Sequence, residues 1–201
     1  MVGETTGRNV RLLKSLGWGR MWIARDRNIQ VYPNEPWGFD NGAYRDYTAG
    51  RDFDADSFLR SLDRAMGAGI PRVAVTPDIV GGGLHSRDFS MEWRGRLPDE
   101  FPWYIAVQDG MTPDDVDLSR FAGVFIGGTN KYKATAGEWC RFAQSQGKML
   151  HYGRCGTIGK LEHAYEIKAD SLDSTSMMWH RKDWEKYIYH WLHRPQMRLD
   201  L

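Results

Sequence analysis

Cysteine is scarce in this chain: Cys140 and Cys155 are the two among 201 residues. Two isolated thiols provide neither a disulfide framework nor a four-ligand zinc set, so neither kind of staple holds the fold. No apolar stretch approaches the length that spans a bilayer. The opening Met-Val-Gly-Glu-Thr-Thr-Gly-Arg lacks the apolar segment of a signal peptide. A reducing cytoplasm is therefore the expected compartment. An excess of one charge is missing too. The 27 Lys and Arg against 26 Asp and Glu leave a net charge of +1, which announces no nucleic-acid binder. Repeats and linkers are also missing, and residues 1–201 are expected to form one domain with a substantial core.

An apolar fraction of 41% with 26% charge is ordinary for a soluble globular chain. Nine Trp and nine Tyr are many for this length. Packing accounts for most such rings, while stacking on bases or sugars is their functional use. Arg8, Arg11, Lys14, Arg20, Arg25 and Arg27 face Asp26 alone in their stretch of sequence. That basic end either neutralises phosphates or forms a solvated helix face.

Apolar periodicity predicts helices over Arg8 to Leu16, Asp54 to Met66, Ser86 to Arg96, Thr135 to Gln146 and Ile158 to Ile167. Asp54 or Asp56 would cap the second. Short β-branched or aromatic runs predict strands at Met21–Ala24, before Asp40, and at Val73–Val75, Trp103–Val107, Val124–Ile126, Met149–Tyr152 and Ala169–Leu172. A Trp- and Tyr-rich tail from Trp179 to Leu192 reads as one closing helix. Alternating strand and helix argues for a parallel sheet with right-handed crossovers. Seven strands in a chain this short predict an α/β fold, a compact or incomplete TIM-type (β/α) barrel, since full barrels take about 250 residues.

Five apolar runs end on polar or glycine-bearing tips, at Asp40, Asp78, Gln108-Asp109, Gly127-Gly128-Thr129 and Asp173. Three offer a carboxylate, one a carboxamide and one a pair of glycine amides, a set suited to a polar planar ligand. Each has a plain alternative. Asp40-Asn41-Gly42 is strong turn chemistry, and Asp173 suits a helix N-cap. Gly-Gly-Thr resembles a phosphate or oxyanion loop with amides free to face a ligand, but also many tight turns. His151 and Arg154 could act as base and anion clamp, or as a core histidine and a structural ion-pair partner. Thr76-Pro77-Asp78 is harder to dismiss, because proline leaving a buried strand fixes the direction of the carboxylate.

Asp-Asn-Gly-Ala-Tyr, Pro-Asp-Ile-Val-Gly, Val-Gln-Asp-Gly, Phe-Ile-Gly-Gly-Thr followed by Lys131 and Lys133, His-Tyr-Gly-Arg and Ala-Asp-Ser-Leu-Asp-Ser-Thr together resemble one family. It is the phage and bacterial DNA 7-deazaguanine transglycosylases, relatives of the tRNA-guanine transglycosylases. The resemblance runs from about Thr6 to Thr175. It implies a TIM-type barrel exchanging guanine in DNA for a 7-deazaguanine base such as 7-cyano-7-deazaguanine (preQ0), with no cofactor and no metal. By the same resemblance Asp173 is the nucleophile and Asp40 the acid/base group. Asp78, Gln108, Gly127, Gly128 and Thr129 meet the base, and His151, Arg154, Lys131, Lys133 and Arg8 lie near the sugar-phosphate. The implied partners are guanine-containing DNA and the free base, in the host cytoplasm if a phage encodes the chain. The family's tRNA branch carries a cysteine-rich zinc subdomain after the nucleophile. Here Ser174-Thr175-Ser176 follows instead, which favours DNA over tRNA.

Other readings stand beside this one. They are a tRNA-guanine transglycosylase-like enzyme, a phosphate-binding (β/α)-barrel isomerase or aldolase with a Schiff-base lysine, and a non-catalytic nucleic-acid-binding relative. The second is weakened because no lysine lies within a strand.

Overall fold

The computed structural model describes residues 7–26 and 29–175. The expected tail helix and Arg27 lie outside them. Seven parallel strands form one sheet in chain order: β1 (Arg20–Ile23), β2 (Trp37–Asp40), β3 (Val73–Val75), β4 (Trp103–Val107), β5 (Gly123–Ile126), β6 (Met149–Tyr152) and β7 (Ser171–Leu172). Helices α1 (Gly7–Ser15), α2 (Ala43–Thr48), α3 (Ala55–Gly67), α4 (Leu84–Arg94), α5 (Asn130–Lys133), α6 (Ala136–Ser145) and α7 (Ile158–Glu166) precede, join or cover the strands. Among the described residues β1 and β7 do not pair, so the sheet stays open. The fold is an incomplete TIM-type (β/α) barrel.

The two faces of the sheet are separate environments, because successive strand residues point to opposite sides. Trp22, Phe39, Ala74, Ile105, Val107, Val124 and Ile126 face the helices and join the main core with Phe58, Leu62, Trp93 and Trp139. Met21, Val73, Val75, Tyr104 and Ala106 form a second, smaller cluster, with Phe125 packed against it. These residues occupy the concave side of the strands that carry the polar tips.

Local chemistry sets the helix ends. On α3, Phe58, Leu62 and Ala65 repeat at helical spacing and are buried. Asp54 caps the helix by accepting the Ser57 N–H at 3.0 Å, satisfying one of the donors that the first turn leaves without a partner. Gly128 has φ of +72°, and a Cβ there would lie 2.7 Å from an oxygen of Asp109. At Gly153 a Cβ would lie 2.5 Å from the Phe125 ring. Both glycines are thus fixed by the close approach of neighbours that line or support the tips.

Two of the six cations of the basic end, Arg20 and Arg25, are taken up within the fold. Arg20 is fully buried and forks onto Glu35, Nε to Oε1 at 2.5 Å and Nη2 to Oε2 at 2.6 Å. Arg25 pairs with Asp46, a carboxylate that is itself buried. A guanidinium placed in a core needs a carboxylate for company, so these two cations serve the fold. Arg8 lies on α1, with its side chain outside the described set.

Candidate active site

The strand ends converge on a cavity of about 490 Å³, within the range of small-molecule sites. It collects Asp40 and Asn41 from the end of β2, Asp78 from beyond β3, and Gln108 and Asp109 from beyond β4. Gly127, Gly128, Thr129 and Lys133 come from beyond β5, and Arg154 from beyond β6. Ring systems contribute as well. Phe125 forms part of the wall, while Tyr44 and Tyr47 stand at the rim, 46% and 58% exposed. Tyr44 and Tyr47 stack on each other with centroids 6.5 Å apart.

Asp40 ends β2 half-buried, with Oδ1 accepting the Gly42 N–H at 2.7 Å. Burial pushes its carboxyl up to about 7, the Gly42 bond opposes this, and the charges of Asp173 and Asp78 add to it. Asp78 is raised to about 6 by burial, restrained by a hydrogen bond from Asn41 and by the charge of Arg154. Asn41 holds this corner together. Its Nδ2 donates to Thr76 O at 2.6 Å and Asp78 Oδ1 at 2.8 Å, while its Oδ1 accepts the Ala43 N–H at 2.8 Å. The sequence motif contained Asn41, but turn chemistry explained it and hid its reach to β3.

Asp173 follows the two-residue β7 with its side chain 16% exposed. It does not line the cavity itself but lies beside it, close enough for its charge to raise Asp40. Its Oδ1 takes two bonds, from His151 Nε2 at 3.1 Å and from the Arg154 N–H at 3.0 Å. Burial alone would raise this carboxyl, but the His151 bond and the Arg154 N–H outweigh it, and the net shift is downward.

His151 is fully buried on β6, stacked on Phe125 at 5.0 Å. Burial lowers its pKa against the pull of Asp173, so the imidazole is neutral at neutral pH. A carboxylate only accepts, so Nε2 carries the proton and Nδ1 accepts from the Ser171 hydroxyl at 2.8 Å. The fully buried ring of His151 thus holds the Asp173 carboxylate in place.

The glycine tip also differs from expectation. The Gly127 N–H is taken by Val107 O at 2.9 Å. Asp109 accepts from the Thr129 N–H at 2.7 Å and the Thr129 hydroxyl at 2.6 Å. Against slight burial, those bonds hold the Asp109 carboxyl low. The Thr129 hydroxyl in turn accepts the Tyr132 N–H at 3.2 Å and caps α5. Two of the three amides of this turn, those of Gly127 and Thr129, are therefore already engaged within the protein. Gln108 is similarly engaged. Its Nε2 donates to Ile79 O at 2.8 Å and its Oε1 accepts the Gly81 N–H at 2.5 Å, pinning the loop that carries Asp78.

Lys133 lines the cavity and is 2% exposed. Its Nζ donates to Gly153 O and lies 5.1 Å from the Tyr152 ring centroid. Burial lowers the amine to about 7, with the charge of Arg154 adding and that of Asp173 opposing. The sequence places Lys133 on a polar loop; the turn of α5 swings it inward. Lys131, on the same short helix, is exposed. Among the described residues no group of three or more His, Cys, Asp or Glu could hold a metal ion.

No protein-family model and no curated protein matches the chain. Among solved structures it is similar to a glycerophosphodiester phosphodiesterase from Parabacteroides distasonis ATCC 8503, at 12% identity and a TM-score of 0.43. The likeness covers 92% of this chain and 90% of that one. So distant a likeness says nothing about chemistry.

Proposed function

We propose that the chain is a DNA-guanine transglycosylase that replaces guanine with a 7-deazaguanine base such as 7-cyano-7-deazaguanine. One observation carries the reading. Two aspartates in electrostatic reach of each other, one lining the cavity and one beside it, are pushed in opposite directions: Asp40 up to about 7 and Asp173 below the usual carboxylate range. Retaining glycosyl transfer needs such a pair, one ionised nucleophile and one group that holds and releases a proton near neutral pH.

In this reading the Asp173 carboxylate attacks C1′ of the target deoxyguanosine, and the C1′–N9 bond breaks as Asp40 gives its proton to the departing guanine. The incoming base then loses its N9 proton to Asp40 and attacks C1′. That step displaces Asp173 and restores both groups. Asp78 accepts from the N1–H and N2–H groups of the purine. Gln108 braces the Asp78 loop, and the Gly127-Gly128-Thr129 turn bounds the cavity. The target nucleotide must leave the duplex stack to enter, and Tyr44 and Tyr47 at the rim suit a displaced base.

The test is incubation with DNA and labelled 7-cyano-7-deazaguanine, followed by mass analysis of the nucleosides. Incorporation by wild type and none by Asp173→Ala is the expected result. Full activity in the variant, or none in wild type across pH 6 to 8, defeats the reading. Lys133 favours a second reading, because a buried amine with a pKa of about 7 at a cavity suits Schiff-base chemistry. Borohydride trapping of a carbonyl substrate on Lys133 distinguishes it.

A further inference from the structure

Arg154 is the third residue of the Tyr152-Gly153-Arg154 turn, and it is unusual twice over. Its φ is +51°, in the left-handed region that a side chain rarely adopts. Its backbone is locked there by the Arg154 N–H to Asp173 Oδ1 bond at 3.0 Å and the Cys155 N–H to Asp173 O bond at 2.7 Å. Its guanidinium has no carboxylate partner within ion-pair distance among the described residues. Instead it crosses the mouth of the cavity. Cζ lies 4.1 Å from the Tyr44 ring centroid, and Nη2 donates to Gly128 O at 3.0 Å.

An exposed arginine gains little by giving up water for a neutral carbonyl and a ring. The backbone constraint aims it there. The chemistry of that position matters. A guanidinium is a flat N–C(–N)–N unit rich in N–H donors, and guanine carries the same unit as N1–C2(–N2)–N3. Both stack on a tyrosine face and donate to a carbonyl, and both are drawn to a buried carboxylate.

We infer that the Arg154 side chain is a resident competitor for the purine, holding the Tyr44 face and the Gly128 carbonyl that a guanine-type base takes when it enters. The charge of Arg154 also draws the Asp78 carboxyl downward, consistent with a guanidinium within reach of the proposed purine-reading acid. Entry of the base then requires the side chain to swing out. The apparent affinity of the free base is reduced by the fraction of molecules in which the strap is closed. The inference rests on the proposed base-exchange function and specifies how the base site is guarded.

The experiment is calorimetric titration of guanine and of 7-cyano-7-deazaguanine into wild type, Arg154→Ala and Arg154→Gly. Glycine removes the strap and suits the positive φ, so that variant keeps the fold even where alanine does not. The expected result is about tenfold tighter binding in either variant, the size of effect expected when a site closed nine-tenths of the time is opened. Low-millimolar guanidinium added to Arg154→Gly should compete with the purine and restore weaker binding, while wild type should respond less. A merely structural arginine would not produce that reversal. Equal or weaker purine binding in Arg154→Gly than in wild type overturns this inference alone. Purine bound by neither protein overturns the base-exchange reading as well.

Discussion

The tips of β2 and β7 carry the same side chain in opposite electrical settings. At the β2 end, Asp40 keeps one hydrogen-bond donor, the Gly42 N–H, and feels the charges of three other carboxylates, Asp173, Asp78 and Asp26. At the β7 end, Asp173 receives both the His151 imidazole and the Arg154 N–H. The first environment favours a proton and the second expels it. Donor count and neighbouring charge, not burial alone, decide the role of each acid, since burial pushes both in the same direction.

The contrast is broken most severely by Asp173→Asn, which removes the proposed nucleophile while keeping its shape. Base exchange should fall by at least about 10⁴-fold in the labelled-base assay, with purine binding by calorimetry retained. Asp40→Asn attacks the other pole. Loss of a general acid/base should cost about 10²–10⁴-fold in turnover, yet the fold should become more stable. Asp40 binds its proton more tightly folded than unfolded, so its ionisation penalises the native state as pH rises from ~4 through about 7. The variant should therefore exceed wild type by on the order of 2 kcal/mol at pH 8 and converge with it near pH 4, as read from urea unfolding at the two pH values.

His151→Gln narrows the contrast by weakening what holds Asp173 ionised. We expect about tenfold lower activity and an acid limb of the pH–rate profile moved upward. An unchanged limb would leave His151 with packing alone. The mildest test is Asn41→Ala, which removes a donor from Asp78 and lets that carboxyl rise above its present value of about 6. Purine binding should weaken a few-fold near pH 6.5 and recover at pH 8, where Asp78 is ionised regardless.

The strands β3, β4 and β6 follow their predicted bounds, and β3 and β4, buried at every position, write themselves as unbroken apolar runs. The long helices were legible through their buried stripes, and of two cap candidates for α3 the structure uses Asp54. The short α2 and α5 were not, since a helix of four to six residues has too few turns to show a period. Site residues were legible as types at strand ends and illegible as partners. Nothing local in Val107-Gln108-Asp109 shows that Gln108 fastens the Asp78 loop, 27 and 29 residues away, or that Asp109 closes the Thr129 turn, 20 residues on. The burial of Lys133 was hidden for the same reason, since nothing beside it in sequence shows that its amine reaches Gly153, 20 residues on, and the Tyr152 ring.

β7 contributes two residues to the sheet, and β1 does not pair with it among the described residues. What fixes the acid just beyond it is a set of cross-ties: Asp170 accepting the Leu150 N–H at 2.7 Å, Ser171 on His151, and Cys155 bonded to the Asp173 carbonyl. Such an edge loosens before the scaffold does. On gentle warming, amide exchange should quicken around residues 171–173 while the central strands stay protected, and any chemistry that depends on Asp173 would fade well below the melting point of the domain.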